Sequence, residues 1–164
     1  MDTIEFEAAY CDLLWLAESI QDTASYPASA RDDIDRTLSH IALSDPLLTE
    51  AARDILHGRH AVVDNQGVMN EGAIAELIAS TTHRLRPAMV SDHAHELRDA
   101  LNVIPNQAAY SPLLLRRFDR LGDFLPEQHM PWRYLIALRV TTRIPGRTAR
   151  ITTYAAAEDG RRDA

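Results

Sequence analysis

Two residues late in the chain have side chains that bind metals or anions in other proteins. His129 and Arg133 stand four apart in EQHMPWRYLIALR, residues 127–139, and this spacing puts both on one face if the segment is helical. A neutral imidazole is a common metal ligand, whereas a guanidinium keeps its proton and fits a carboxylate or phosphate. The pair leaves three interpretations open: half of a metal site, an anion site, or polar residues of a packed helix.

A third candidate is His40, which lies between Leu38 and Ile41 on the predicted inward side of a helix. Pro46 follows within that helix, and we expect a kink just after His40 because proline removes a backbone hydrogen bond. A lone histidine in such a place is more commonly a hydrogen-bonded core residue than a ligand. The other five are predicted at the end of a helix, in a connection between helices, at the edge of an apolar seam or on a polar face: His57, His60, His83, His93 and His95.

Apolar residues at helical spacing predict the elements that must position these side chains. Helices are expected over about 3–23, 29–58, 71–80, 87–104 and 111–143, the last with a break at Pro126 or Pro131. This pattern predicts an all-α four-helix bundle with one short extra helix, in a domain covering 1–143. A tail over 144–164 is expected as an extended arm or a short hairpin around Pro145-Gly146.

Composition narrows the classes of function. The formal charge is −7, which argues against nonspecific binding to nucleic acid, and all 17 basic residues are arginine, which excludes lysine chemistry. No apolar run reaches the roughly 20 residues that span a bilayer, so we expect a cytoplasmic protein without a membrane partner. Cys11, the single cysteine, is expected to be a small buried hydrophobe on the first helix.

Several segments together resemble a known family. These are TLSHIALSDPLLTEAARDILHGR, the VVDN loop that follows it, the helix start NEGAIAEL, and FLPEQHMPWRYLIALR. In order and spacing they are similar to the DinB-like superfamily, especially the branch that includes the N-terminal domain of mycothiol-dependent maleylpyruvate isomerases. The resemblance covers about residues 5–143.

The resemblance implies a homodimeric four-helix bundle with a divalent metal, zinc or nickel, at one end of its core. It implies that His40 is the first ligand, that His129 is the second, and that the third ligand position falls on Arg133. Several members of the family use the metal for transfer or isomerisation that depends on a low-molecular-weight thiol. Arginine has no lone pair for a metal, so two of the three ligands remain.

Three functions follow as hypotheses, and no catalytic residue is assigned in any of them. The first is a thiol-dependent transferase or isomerase with a metal on His40 and His129. The second is a metal-free protein that binds a small anionic ligand at Arg133. The third is a dimeric helical interaction protein without catalysis.

Overall fold

The computed structural model describes residues 3–20, 23–119 and 121–162. The chain is mostly helical, with a small sheet. Its helices are α1 (Ile4–Ser19), α2 (Ala28–Leu56), α3 (Gln66–Met69), α4 (Glu71–Ser80), α5 (Leu85–Val103), α6 (Trp132–Leu138) and α7 (Ile144–Arg162). Its strands are β1 (Ala61–Asp64), β2 (Pro112–Phe118) and β3 (Phe124–Pro131). A π-helical segment, Arg139–Arg143, joins α6 to α7.

The long helices pack against one another around an apolar core. Helix α2 packs along α5, and α1 packs against both α5 and α7. On α2, Ile34, Leu38 and Ile41 recur at helical spacing and are fully buried, as are Leu97 and Leu101 on α5. Burying a side chain of this size contributes about 1.5–3 kcal/mol. Among the described residues, no helix is both long enough and apolar enough to cross a membrane.

A three-stranded mixed sheet corrects the all-α prediction. The central strand β2 pairs parallel with β1 and antiparallel with β3, and Leu114 of β2 stands opposite His129 of β3. The predicted helix over 111–143 begins only at Trp132, because Leu113 and Leu115 alternate inward as a strand requires. Apolar residues four apart in the same stretch imitated a helix.

The tail also differs from the prediction. Residues 144–162 are helical rather than extended or a hairpin. Ile144 and Ile151 are 0% and 1% exposed and belong to the main core. Their separation of seven residues is about two helical turns, so both face the same side. Proline is tolerated in the first turn of a helix, where Pro145 lies.

The buried face of helix α1 does not include Cys11. The buried residues include Phe6, Tyr10 and Leu13, whereas Cys11 is exposed and Trp15 is 72% exposed. Cys11 follows Tyr10 directly, and one residue turns a helix by about 100°. The prediction that Cys11 is buried is therefore wrong.

A buried polar network links α1, α2 and the π segment. The hydroxyl of Tyr10 donates to Asp45, 2.9 Å away, and the Nε of Arg139 donates to the Tyr10 oxygen at 3.0 Å. Arg139 also forms an ion pair with Asp45, which is 0% exposed. Burial raises the pKa of Tyr10 further above its usual value, so its proton stays on the hydroxyl.

Helix α2 runs through Pro46 without ending. Proline lacks the N–H that would bond to the carbonyl of Ala42. The Nδ1 of His93 lies 2.8 Å from that carbonyl oxygen and satisfies it from α5. His93 therefore has a structural role at this point of the helix pair.

His83 is buried, although the sequence offered it no partner. Its Nδ1 lies 3.1 Å from a carboxylate oxygen of Asp35, and Arg86 contacts the same oxygen at 2.8 Å. Burial alone would raise the pKa of Asp35, but hydrogen bonds from His83 and Arg86 lower it below its usual value. This cluster joins α2 to the start of α5.

Candidate functional site

The three predicted site residues lie in different kinds of structure. His40 is half-buried on α2, His129 is exposed on β3, and Arg133 is exposed in the first turn of α6. The guanidinium of Arg133 lies 4.7 Å from the ring centroid of Tyr110 and donates to its hydroxyl. Because β3 ends at Pro131, the expectation that His129 and Arg133 share one helical face is wrong.

His40 lines a cavity of about 270 Å³ bounded by α2, α3, α4, the end of the π segment and α7. One wall is a face of α2, and helical spacing places four residues on it: Asp33, Arg36, Thr37 and His40. Arg143, Arg147 and Arg150 recur at four and three residues on the opposite wall. We call this the basic cavity, and neither His129 nor Arg133 is among the described residues that line it.

Arginine charges outnumber carboxylates in the basic cavity. Of the described residues, four with guanidinium groups and two with carboxylates line it, the latter being Asp33 and Glu71. Asp33 pairs with Arg150, whose Nη2 lies 2.6 Å from Oδ1 of Asp33, and Glu71 pairs with Arg36. For Arg143 the structure shows no ion pair with any other described residue. The cavity thus carries an excess of two positive charges in an acidic chain.

Burial and Arg147 together keep the ring of His40 neutral. Its guanidinium donates to the Nδ1 of His40 over 3.2 Å, so that nitrogen accepts, and the neutral ring carries its proton on Nε2. Burial, together with the positive charges of Arg147, Arg139 and Arg143, lowers the pKa of His40 to about 3. His40 is therefore a neutral donor at physiological pH.

The surroundings of His40 do not fit a divalent cation. Arg143 and Arg147 lie beside it in the wall of the cavity. Their positive charges would strongly repel a divalent cation placed a few ångströms away in this partly buried site. Within the described part of the chain, no three or more His, Cys, Asp or Glu side chains are grouped to hold a metal.

A second cavity, of about 120 Å³, adjoins the first and is mainly apolar. It shares His40, Val68, Met69 and Arg143 with the basic cavity. The rest of its wall comes from α2, the sheet, Asn65, α6 and the π segment, and its apolar residues are Leu47, Leu48, Val63, Leu115 and Leu135. We call it the apolar cavity.

Comparison with family models, with curated proteins and with solved structures finds no match to this chain.

The sequence prediction missed the arginines that matter most. Arg143, Arg147 and Arg150 were assigned to the end of a helix and to a solvated tail, whereas they form one wall of the basic cavity. A signal was present, because their spacing of four and three residues puts them on one face of any helix. His40 is the one predicted site residue that the structure places beside them.

Proposed function

We propose that this protein binds a small anion in the basic cavity without using a metal there. The observation that supports the proposal is the excess of arginine charge around a neutral His40. This keeps the second hypothesis from the sequence but moves the site from Arg133 to Arg143 and Arg147.

The chemistry of the wall favours an anion over other ligands. A guanidinium presents a planar fork of N–H donors that matches a carboxylate or phosphate. Arg143 has no ion pair with another described residue, and Arg147 donates a hydrogen bond to the neutral imidazole of His40. An anion would replace the missing negative charge, and the Nε2 hydrogen of His40 would supply one more donor.

Calorimetric titration with inorganic phosphate and with acetate at low ionic strength tests the proposal. We expect binding to the wild-type protein and an affinity at least about tenfold weaker in Arg143→Gln, the usual scale for a hydrogen bond to a charged group. Arg143→Lys should retain part of the affinity because it keeps the charge but not the fork.

Arg59→Gln is the matched control. Arg59 is exposed and pairs with Asp54 away from the cavity, so its loss changes the net charge equally but should leave the affinity unchanged. An equal loss in both variants would indicate only a general charge effect and would contradict the proposal.

The other predictions from the resemblance stay predictions. The packing of α1, α2, α5 and the last helix supports our inference of a DinB-like four-helix core with an added sheet. Thiol-dependent transfer or isomerisation requires a metal near His40, and metal analysis of protein purified without a histidine tag would test it. The mass of the particle in solution would test the predicted homodimer.

A further inference from the structure

We infer that the bound anion is the acid group of an amphipathic molecule, a short carboxylic acid whose apolar body lies in the apolar cavity. The inference rests on the proposed anion site and adds the class of ligand. Its basis is that a cationic cavity and an apolar cavity share one wall.

The residues that line both cavities show where the two cavities meet. His40 and Arg143 carry the polar side of it, and Val68 and Met69 of α3 carry the apolar side. A carboxylate held at Arg143 and His40 would therefore have its first carbon atoms at the entrance of the apolar cavity.

Asn65, Ser44 and Arg139 in the wall of the apolar cavity already have partners in the fold, whereas the buried Nε of Arg117 has none among the described residues. Asn65 exchanges two hydrogen bonds with the backbone of Phe118, at 2.6 and 3.2 Å. Ser44 accepts from Arg139, whose charge is matched by Asp45. An apolar body can enter without depriving these groups of partners, which is the main cost of covering a polar wall.

Charge and size narrow the ligand further. Arg117 also lines the apolar cavity, so a cationic ligand is disfavoured in both spaces. The apolar cavity, of about 120 Å³, is less than half as large as the basic cavity, of about 270 Å³, so the apolar body of the ligand must be short.

The test is a calorimetric series on the full-length protein with acetate, butanoate, hexanoate and the neutral 1-hexanol. We expect the affinity to rise by about two- to fourfold for each added methylene up to hexanoate, as burial of a methylene predicts. We expect 1-hexanol to bind at least tenfold more weakly than hexanoate, because it lacks the charge that Arg143 recognises.

Leu47→Gln makes the wall of the apolar cavity polar at a half-buried position on α2. It should remove the gain from acetate to hexanoate and leave acetate and phosphate binding unchanged. Leu56→Gln is the control, since Leu56 lies on the same helix, is 39% exposed and does not line the cavity. The series on the wild-type protein decides the question even if Leu47→Gln fails to fold.

The outcomes separate the two proposals. Equal affinity for acetate and hexanoate in the wild type overturns the amphipathic ligand and leaves the anion site standing. Hexanoate binding that is insensitive to Arg143→Gln and matched by 1-hexanol overturns both. Absence of binding by phosphate, acetate and hexanoate alike also overturns both.

Discussion

Arg147 of α7 donates a hydrogen bond to the Nδ1 of His40 on α2 across 3.2 Å. The two residues are 107 positions apart in the chain. The contact joins α7, a segment that was predicted to be an extended arm or a hairpin, to His40. Among the three predicted site residues, His40 is the one that lines the basic cavity. It also gives that histidine a cation as a hydrogen-bond partner, where a metal had been expected.

Replacing Arg147 by glutamine should raise the pKa of His40. The value of about 3 results from burial first and then from the charges of Arg147, Arg139 and Arg143. Without Arg147 the pKa should move toward the ordinary value of about 6.5, and burial should keep it below that value. An NMR titration of the histidine ring signals measures the change, with Arg59→Gln as the control. A pKa that does not move would contradict the assigned contact.

The same shift predicts a pH dependence of stability. Between about pH 6.5 and pH 3 the unfolded chain binds a proton at His40 that the folded chain does not. The contribution of His40 therefore makes the free energy of unfolding fall as the pH decreases through this range. His40→Gln should flatten that part of the curve, measured by urea unfolding at a series of pH values.

Asp45→Asn should destabilise the fold strongly. It would leave the guanidinium of Arg139 buried without its counter-charge, and breaking a buried ion pair from one side costs about 3–5 kcal/mol. Urea unfolding gives the change in free energy. Glu50→Gln removes half of an exposed pair with Arg53 and should have little effect. Similar effects of both substitutions would show that the buried network is not a stabilising element.

Ile151→Ala tests whether α7 belongs to the folded core. Ile151 is 1% exposed, so its truncation should lower the free energy of unfolding by about 2–5 kcal/mol. Ile4→Ala makes the same chemical change at a residue that is 73% exposed and should have a much smaller effect. If thermal unfolding gave the same midpoint for the wild type and for Ile151→Ala, the packing of α7 would be wrong.

The double substitution Arg143→His with Arg147→His should create a metal site. Two histidines four apart on one helical face would stand beside His40, which is the arrangement that holds zinc. Titration with Zn²⁺ or Ni²⁺ should give one ion per chain. Arg133→His should not take up metal, because His129 lies on a strand and not one turn away. Uptake by Arg133→His alone would restore the original assignment.

Apolar spacing was sufficient to predict most of the helical chain, but it could not predict which partners lie across the fold. Leu38 and Leu97 lie on regular apolar faces, and both are buried as expected. The hairpin was missed because Leu113 and Leu115 alternate inside a run that also fits a helix. Arg139 was not recognised as buried because its counter-charge, Asp45, lies 94 residues away.

The site, like the fold, was predictable from the sequence only where a local pattern marked it. His40 was found because it interrupts an apolar helical face, which is a local signal. Arg147 was missed because threonines and Pro145-Gly146 around it favour turns and strands, and only contact with the core makes this segment helical. Local propensity is a weak prior when tertiary packing decides the outcome.

The π segment Arg139–Arg143 makes the length of the chain at this point as important as its sequence. A π turn amounts to one residue inserted into an α-helix, and each residue advances an α-helix by about 100°. If the same residues formed a regular α-helix instead, everything beyond them would be rotated by about that angle relative to α6. Arg147 would then leave the cavity and Ile151 the core, although no amino acid had been changed. The wide turn therefore holds both residues on the faces that they occupy.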